Sequence, residues 1–225
     1  MTFTRGIAAA TVLAFGAGLA HAAETEQPVE TELAENCAGL MGVAIPADTI
    51  GLATSGGEVS TAELIAASGE GSTSVPAHCL VGGNIHPHDP EAPDIRFNLA
   101  LPASWNNKAL MLGGGGFNGK IPNITGNLPA GPIDQPLPLA RGYAVFGSDS
   151  GHQANELGSQ DGSFALNEEA ARNFGGDALK KTRDAAVFLI QRHYGVEKID
   201  QTYFAGGSTG GREALAAITR WPDDW

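Results

Sequence analysis

Apolar residues along this 225-residue chain follow two spacings. From Ile95 to Leu101 they alternate with polar positions, the period of a half-buried strand, and Pro102 closes the run. Lys108-Ala-Leu-Met-Leu112 is a short apolar strand that runs into four glycines, and Gly119 to Pro138 is a loop rich in Gly, Pro and Asn. Leu139 to Phe146 enters another strand, which ends at Gly147-Ser-Asp-Ser-Gly-His152. Over 176–194 the spacing becomes helical: Ala178, Leu179, Thr182, Ala185, Ala186, Leu189 and Ile190 fall close to one face, with lysines and arginines elsewhere. Thr202 to Ala205 is again strand-like, and Arg212 to Arg220 helical. Residues 37–105 form a β-rich lead-in that includes a strand within Thr73 to Gly83. Strands alternating with helices predict an α/β fold with a mostly parallel sheet flanked by helices. In such sheets, sites form at the carboxyl ends of strands.

The first 22 residues change the picture. Arg5, the apolar run Ile7 to Leu19 and Ala20-His-Ala22 have the layout of a cleaved secretory signal. The run is shorter than the roughly 20 residues of a membrane span. Residues 23–36 are expected to be an acidic flexible lead, and 37–225 a single domain. A composition 42% hydrophobic and 17% charged supports a sizeable core. The net charge of -12 disfavours nucleic acid and anionic membrane as partners and keeps an exported protein soluble. In a secreted or periplasmic protein, Cys37 and Cys79 are expected to form a disulfide, worth roughly 4 kcal/mol in the chain-entropy model; two unpaired buried thiols are the alternative. Neither has metal-like neighbours.

The chemistry concentrates at Tyr203-Phe-Ala-Gly-Gly-Ser-Thr-Gly-Gly-Arg-Glu213. Gly206, Ser208 and Gly210 make a G-x-S-x-G with a strand before it and a helix after it, the context of a nucleophile elbow. Ser208 is the candidate nucleophile, and the Thr209 N–H the first oxyanion donor. Gly113-Gly-Gly-Gly-Phe-Asn-Gly119 satisfies a dinucleotide fingerprint and nearly a phosphate loop, but both need a helix next, and Ile-Pro-Asn-Ile cannot supply it. The N–H of Gly115 or Gly116 is therefore expected to complete the oxyanion hole. Ser148-Asp-Ser-Gly-His152 holds triad residue types too close together to work as one, and reads as a hydrogen-bonded turn near the site. His78, His86, His88 and His193 are not placed as bases.

With these motifs in hand, the chain resembles the tannase and feruloyl esterase family of secreted α/β-hydrolases over roughly residues 75–225. The resemblance is carried by Leu101-Pro-Ala-Ser-Trp-Asn106, Ala140-Arg-Gly-Tyr-Ala144, Ser148-Asp-Ser-Gly-His152, Asn173-Phe-Gly175, Ser208-Thr-Gly-Gly-Arg212 and Arg220-Trp-Pro-Asp-Asp-Trp225. It implies hydrolysis of carboxylic esters, often of phenolic acids (feruloyl or galloyl type), through a Ser-Asp-His triad with Ser208 as nucleophile. It also implies a lid inserted after the elbow that often holds calcium, and a disulfide like Cys37–Cys79. No cofactor or metal ligand is assigned to residues of this chain. Many members carry a cysteine just before the nucleophile, bonded to one beside the catalytic histidine; here Gly207 stands there. The fold's chain order, Ser then Asp or Glu then His, places both partners beyond residue 225. The expectation is thus an N-terminal portion of a longer esterase, its partner a small-molecule ester. Two alternatives are a catalytically dead secreted binding module and a nucleotide-binding α/β protein using Gly113–Gly116.

Overall fold

A computed structural model describes residues 1–2, 26–158 and 160–225. The proposed signal segment lies almost wholly outside them. Seven strands form one sheet in the order β1-β2-β3-β4-β6-β5-β7. They are β1 (Ala44–Ile45), β2 (Gly57–Ile65), β3 (His78–Ile85), β4 (Ile95–Pro102), β5 (Lys108–Leu112), β6 (Ala144–Ser148) and β7 (Gln201–Ala205). The β-rich lead-in supplies an antiparallel half, β1 to β4, which joins β6 antiparallel. The parallel character expected for most of the sheet is confined to β6, β5 and β7, the half that carries the glycine loop and the elbow.

Alternation along the strands fills two cores. Ala109 and Met111 of β5, Ala144 and Phe146 of β6, and Phe97, Leu99 and Leu101 of β4 face one side. Leu110, Leu112, Val145 and Ala100 face the other, where Ile124 of the long loop and Leu139 just after it cover them. The first side is covered by the helices α1 (Glu26–Ala38) and α3 (Ala178–Tyr194) and by Ala217 of α4 (Thr209–Arg220). The short helix α2 (Glu168–Arg172) is capped by the Asn167 side chain, which accepts the Ala170 N–H at 2.9 Å. It runs through a π turn, Asn173–Asp177, into α3. Gly195 in left-handed geometry ends α3.

The flexible lead expected over 23–36 is corrected from Glu26 onward, where the chain is helical. Its acidic surface hides a buried stripe, Leu33 and Cys37, continued by Leu40. The spacing turns these toward β3, and the Cys37–Cys79 disulfide staples the helix there with Cα atoms 5.4 Å apart. No described helix is long and apolar enough to cross a membrane.

Candidate active site

β7 ends at Ala205 and α4 begins at Thr209, leaving three residues to reverse from strand to helix. Ser208 takes φ 53° and ψ −121°, a conformation that costs a non-glycine residue about 1–3 kcal/mol. The turn is this tight because a Cβ on Gly206 would lie 2.6 Å from the Gly210 carbonyl carbon. Ser208 is exposed, and its hydroxyl has no hydrogen-bond partner among the described residues. The first turn of α4 leaves the Thr209 N–H uncommitted, while Gly210 N–H bonds Gly207 O (2.8 Å) and Gly114 O (3.0 Å).

The glycine loop arches beside this turn. Gly113 N–H is taken by Ala205 O (2.9 Å), and Gly114 N–H by the Glu213 carboxylate (3.1 Å). Asn118 N–H returns to Gly115 O (2.9 Å) and closes a tight turn with Gly116 at φ 58°. The N–H groups of Gly115 and Gly116 have no protein acceptor among the described residues, and a Cβ on Gly115 would meet nothing within 4 Å. The Thr209 hydroxyl donates to Gly116 O, tying the arch to the helix. No helix follows the loop; residues 120–138 are turns and coil. The loop therefore lacks the helix directly after it that the dinucleotide and phosphate-loop fingerprints need, which counts against the nucleotide-binding alternative.

Glu213 closes the elbow motif. It is 1% exposed and accepts from Gly114 N–H, from the Asn118 amide and, at 3.3 Å, from the Ser150 hydroxyl. Burial pushes its carboxyl above the usual range, against the pull of Asn118, Gly114, Arg212 and Ser150. The Arg212 guanidinium stands 4.0 Å away, lying over the Phe174 ring and donating to Phe174 O. The available signal was spacing: Gly210, Glu213 and Ala217 lie three and four residues apart on one face, and all three are buried.

The Ser148-Asp-Ser-Gly-His152 segment is a buried strand-end turn that braces the arch. Asp149 Oδ1 accepts from Arg96 N–H (3.1 Å) and Gly151 N–H (3.0 Å), and Oδ2 from Gln153 (2.7 Å). Burial raises its carboxyl to about 6 despite these donors. The Asn118 amide also donates to Ser150. His152 stacks on Phe164, with centroids 3.6 Å apart, and lines a cavity of about 250 Å³ with Asn118 and Phe164. Burial holds its imidazole below the ordinary value, opposed by the Phe117 carbonyl and Asp161. His152 makes no hydrogen bond to Ser208, and neither does any other described histidine. Among the described residues no cluster of three or more His, Cys, Asp or Glu could hold a metal ion.

The sheet order, the strand–serine–helix elbow and the facing glycine arch define an α/β-hydrolase fold. The family model for tannase and feruloyl esterase matches residues 79–225, so the chain belongs to the tannase and feruloyl esterase family. It is 44% identical over 189 residues to an uncharacterized esterase of Agrobacterium fabrum, covering 84% of this chain and 34% of that one. It is 32% identical over 158 residues to a mono(2-hydroxyethyl) terephthalate hydrolase of Piscinibacter sakaiensis, covering 67% of this chain and 26% of the relative. The crystal structure of feruloyl esterase B from Aspergillus oryzae superposes with a TM-score of 0.64 at 18% identity, over 88% of this chain and 36% of that one. The chain thus spans about a third or less of the length of these relatives.

Proposed function

We propose that the full-length protein is a secreted serine esterase acting on phenolic-acid or related aromatic carboxylic esters, and that Ser208 carries the acyl group. The observation that carries this reading is the strained, exposed Ser208 between β7 and α4, with the unbonded N–H groups of Thr209 and of Gly115 and Gly116 beside it. Ser208 Oγ attacks the ester carbonyl carbon, and the carbonyl π pair moves to oxygen. That oxyanion accepts hydrogen bonds from Thr209 N–H and from Gly115 or Gly116 N–H, donors fixed before the reaction begins. A histidine takes the serine proton and returns it to the departing alcohol, and a carboxylate orients the histidine. Water then releases the acid from the acyl-enzyme. In this fold the base and its carboxylate follow the nucleophile along the chain, and the chain spans about a third or less of its relatives' length, so both are taken from the full-length protein. The Agrobacterium and Piscinibacter relatives support ester chemistry by name. The Cys37–Cys79 disulfide supports an oxidising compartment.

The test uses the full-length protein. Methyl ferulate and a p-nitrophenyl ester are turned over, a fluorophosphonate labels the serine, and Ser208→Ala abolishes both. Turnover that persists in Ser208→Ala removes the reading. An unlabelled, inactive wild-type protein favours the dead binding module instead.

A further inference from the structure

We propose that Glu213 is the positioning residue of the oxyanion hole, its buried carboxyl group clasping both feet of the Gly114–Asn118 arch. The proposal rests on the ester-hydrolase reading and goes beyond it by naming what holds the second donor in place. Glu213 bonds Gly114 N–H at one foot and the Asn118 side chain at the other. Between the feet stand Gly115 and Gly116, whose N–H groups face no protein acceptor among the described residues. Thr209 lies four residues before Glu213, on the same face of α4. One helical stripe therefore contacts the arch three times, through the Thr209 hydroxyl to Gly116 O, Gly210 N–H to Gly114 O, and Glu213 to both feet. Both donors of the oxyanion hole thereby belong to one rigid unit.

Close packing is a condition of the clasp. A Cβ on Gly113 would lie 2.7 Å from Glu213 Oε2 and 2.7 Å from Gly210 Cα, so only glycine lets the carboxyl group reach the loop. Burial disfavours the ionised form, which would repel a developing oxyanion nearby, against the pull of the bonded donors and of Arg212 at 4.0 Å. A glutamine can take over most of the clasp. It keeps one acceptor, and Asn118 Oδ1, buried without a partner, can accept its amide N–H once the Asn118 amide turns over.

In the full-length enzyme, Glu213→Ala is expected to lower kcat about 10- to 100-fold with KM within about twofold, because the donor is displaced and the substrate pocket is untouched. The inhibition constant of a trifluoromethyl ketone analogue, which binds as an oxyanion, rises by the same factor. Glu213→Gln restores kcat to within about threefold of wild type. Asn118→Ala, which frees the other foot, reproduces the fall in kcat and tests the proposal even if Glu213→Ala does not fold. Unchanged kcat in a folded Glu213→Ala or Asn118→Ala protein overturns the proposal. So does a fall in kcat that leaves the ketone constant unmoved. Ser208→Ala, measured alongside, separates the two ideas: if it is inactive while Glu213→Ala is fully active, only the role of Glu213 is lost.

Discussion

Glu169 and Glu213 are equally hidden, at 3% and 1% exposure, yet they stand in opposite surroundings. Glu169 meets the Lys181 ammonium at 2.8 Å and accepts the N–H groups of Asp89 (2.7 Å) and His88 (3.1 Å). Burial alone would raise its carboxyl, but Lys181 and the two N–H groups outweigh burial and leave it below the usual range. It ties the 88–89 loop to α2 and α3 as a fixed ion pair. Glu213 performs a similar tie between α4 and the glycine arch through Gly114, Asn118 and Ser150, with Arg212 only at 4.0 Å, and its carboxyl shifts the other way. A buried acid can thus fasten two segments with its proton affinity either lowered or raised.

Removing one partner is the strongest way to break this comparison. Lys181→Met leaves Glu169 buried without its counter-ion, and urea unfolding should show a loss of about 3–5 kcal/mol. A loss under about 1 kcal/mol would mean that the pair contributes little. Asp149, the third buried carboxyl, sharpens the contrast through pH. Its folded value of about 6 lies above the unfolded 3.8, so its stabilising contribution is complete below the unfolded value and is lost as pH rises through about 6. The swing is about 3 kcal/mol at most. Asp149→Asn should remove that decline when stability is measured across this window, whereas Glu169, depressed, contributes in the opposite direction and loses its share as pH falls. A wild-type minus Asp149→Asn difference that grows with pH contradicts the assignment. The smallest effect is expected for Glu213→Gln, whose unfolding free energy should stay within about 1 kcal/mol of wild type.

The legibility of these features follows physical lines. β5 is legible from the apolar run Ala109 to Leu112, which Lys108 precedes and Gly113 ends. The strand, serine and helix of the elbow were readable from Gly206 and Gly210, since close approach demands glycine. β2 is not, because only Val59 of its residues is buried and it exists through its pairing with β3. α1 reads as a loose lead because its acidic composition outweighs the sparse stripe that the disulfide anchors. Glu213 is not legible, because an acid beside an arginine in a helix reads as solvated. Only the fold shows that its face lies under the arch. Strand direction was hidden too, since apolar periodicity does not record which neighbour a strand takes.

Four consecutive glycines form the backbone segment with the greatest freedom a chain can have when unfolded. In the native protein both ends of that segment are pinned, at Ala205 and Gly210 on one side and through Asn118 on the other. The disorder is therefore given up once, as the chain folds, and not again at each encounter with substrate. On the proposed reading, a span chosen for closeness of approach arrives at the reacting carbonyl already ordered.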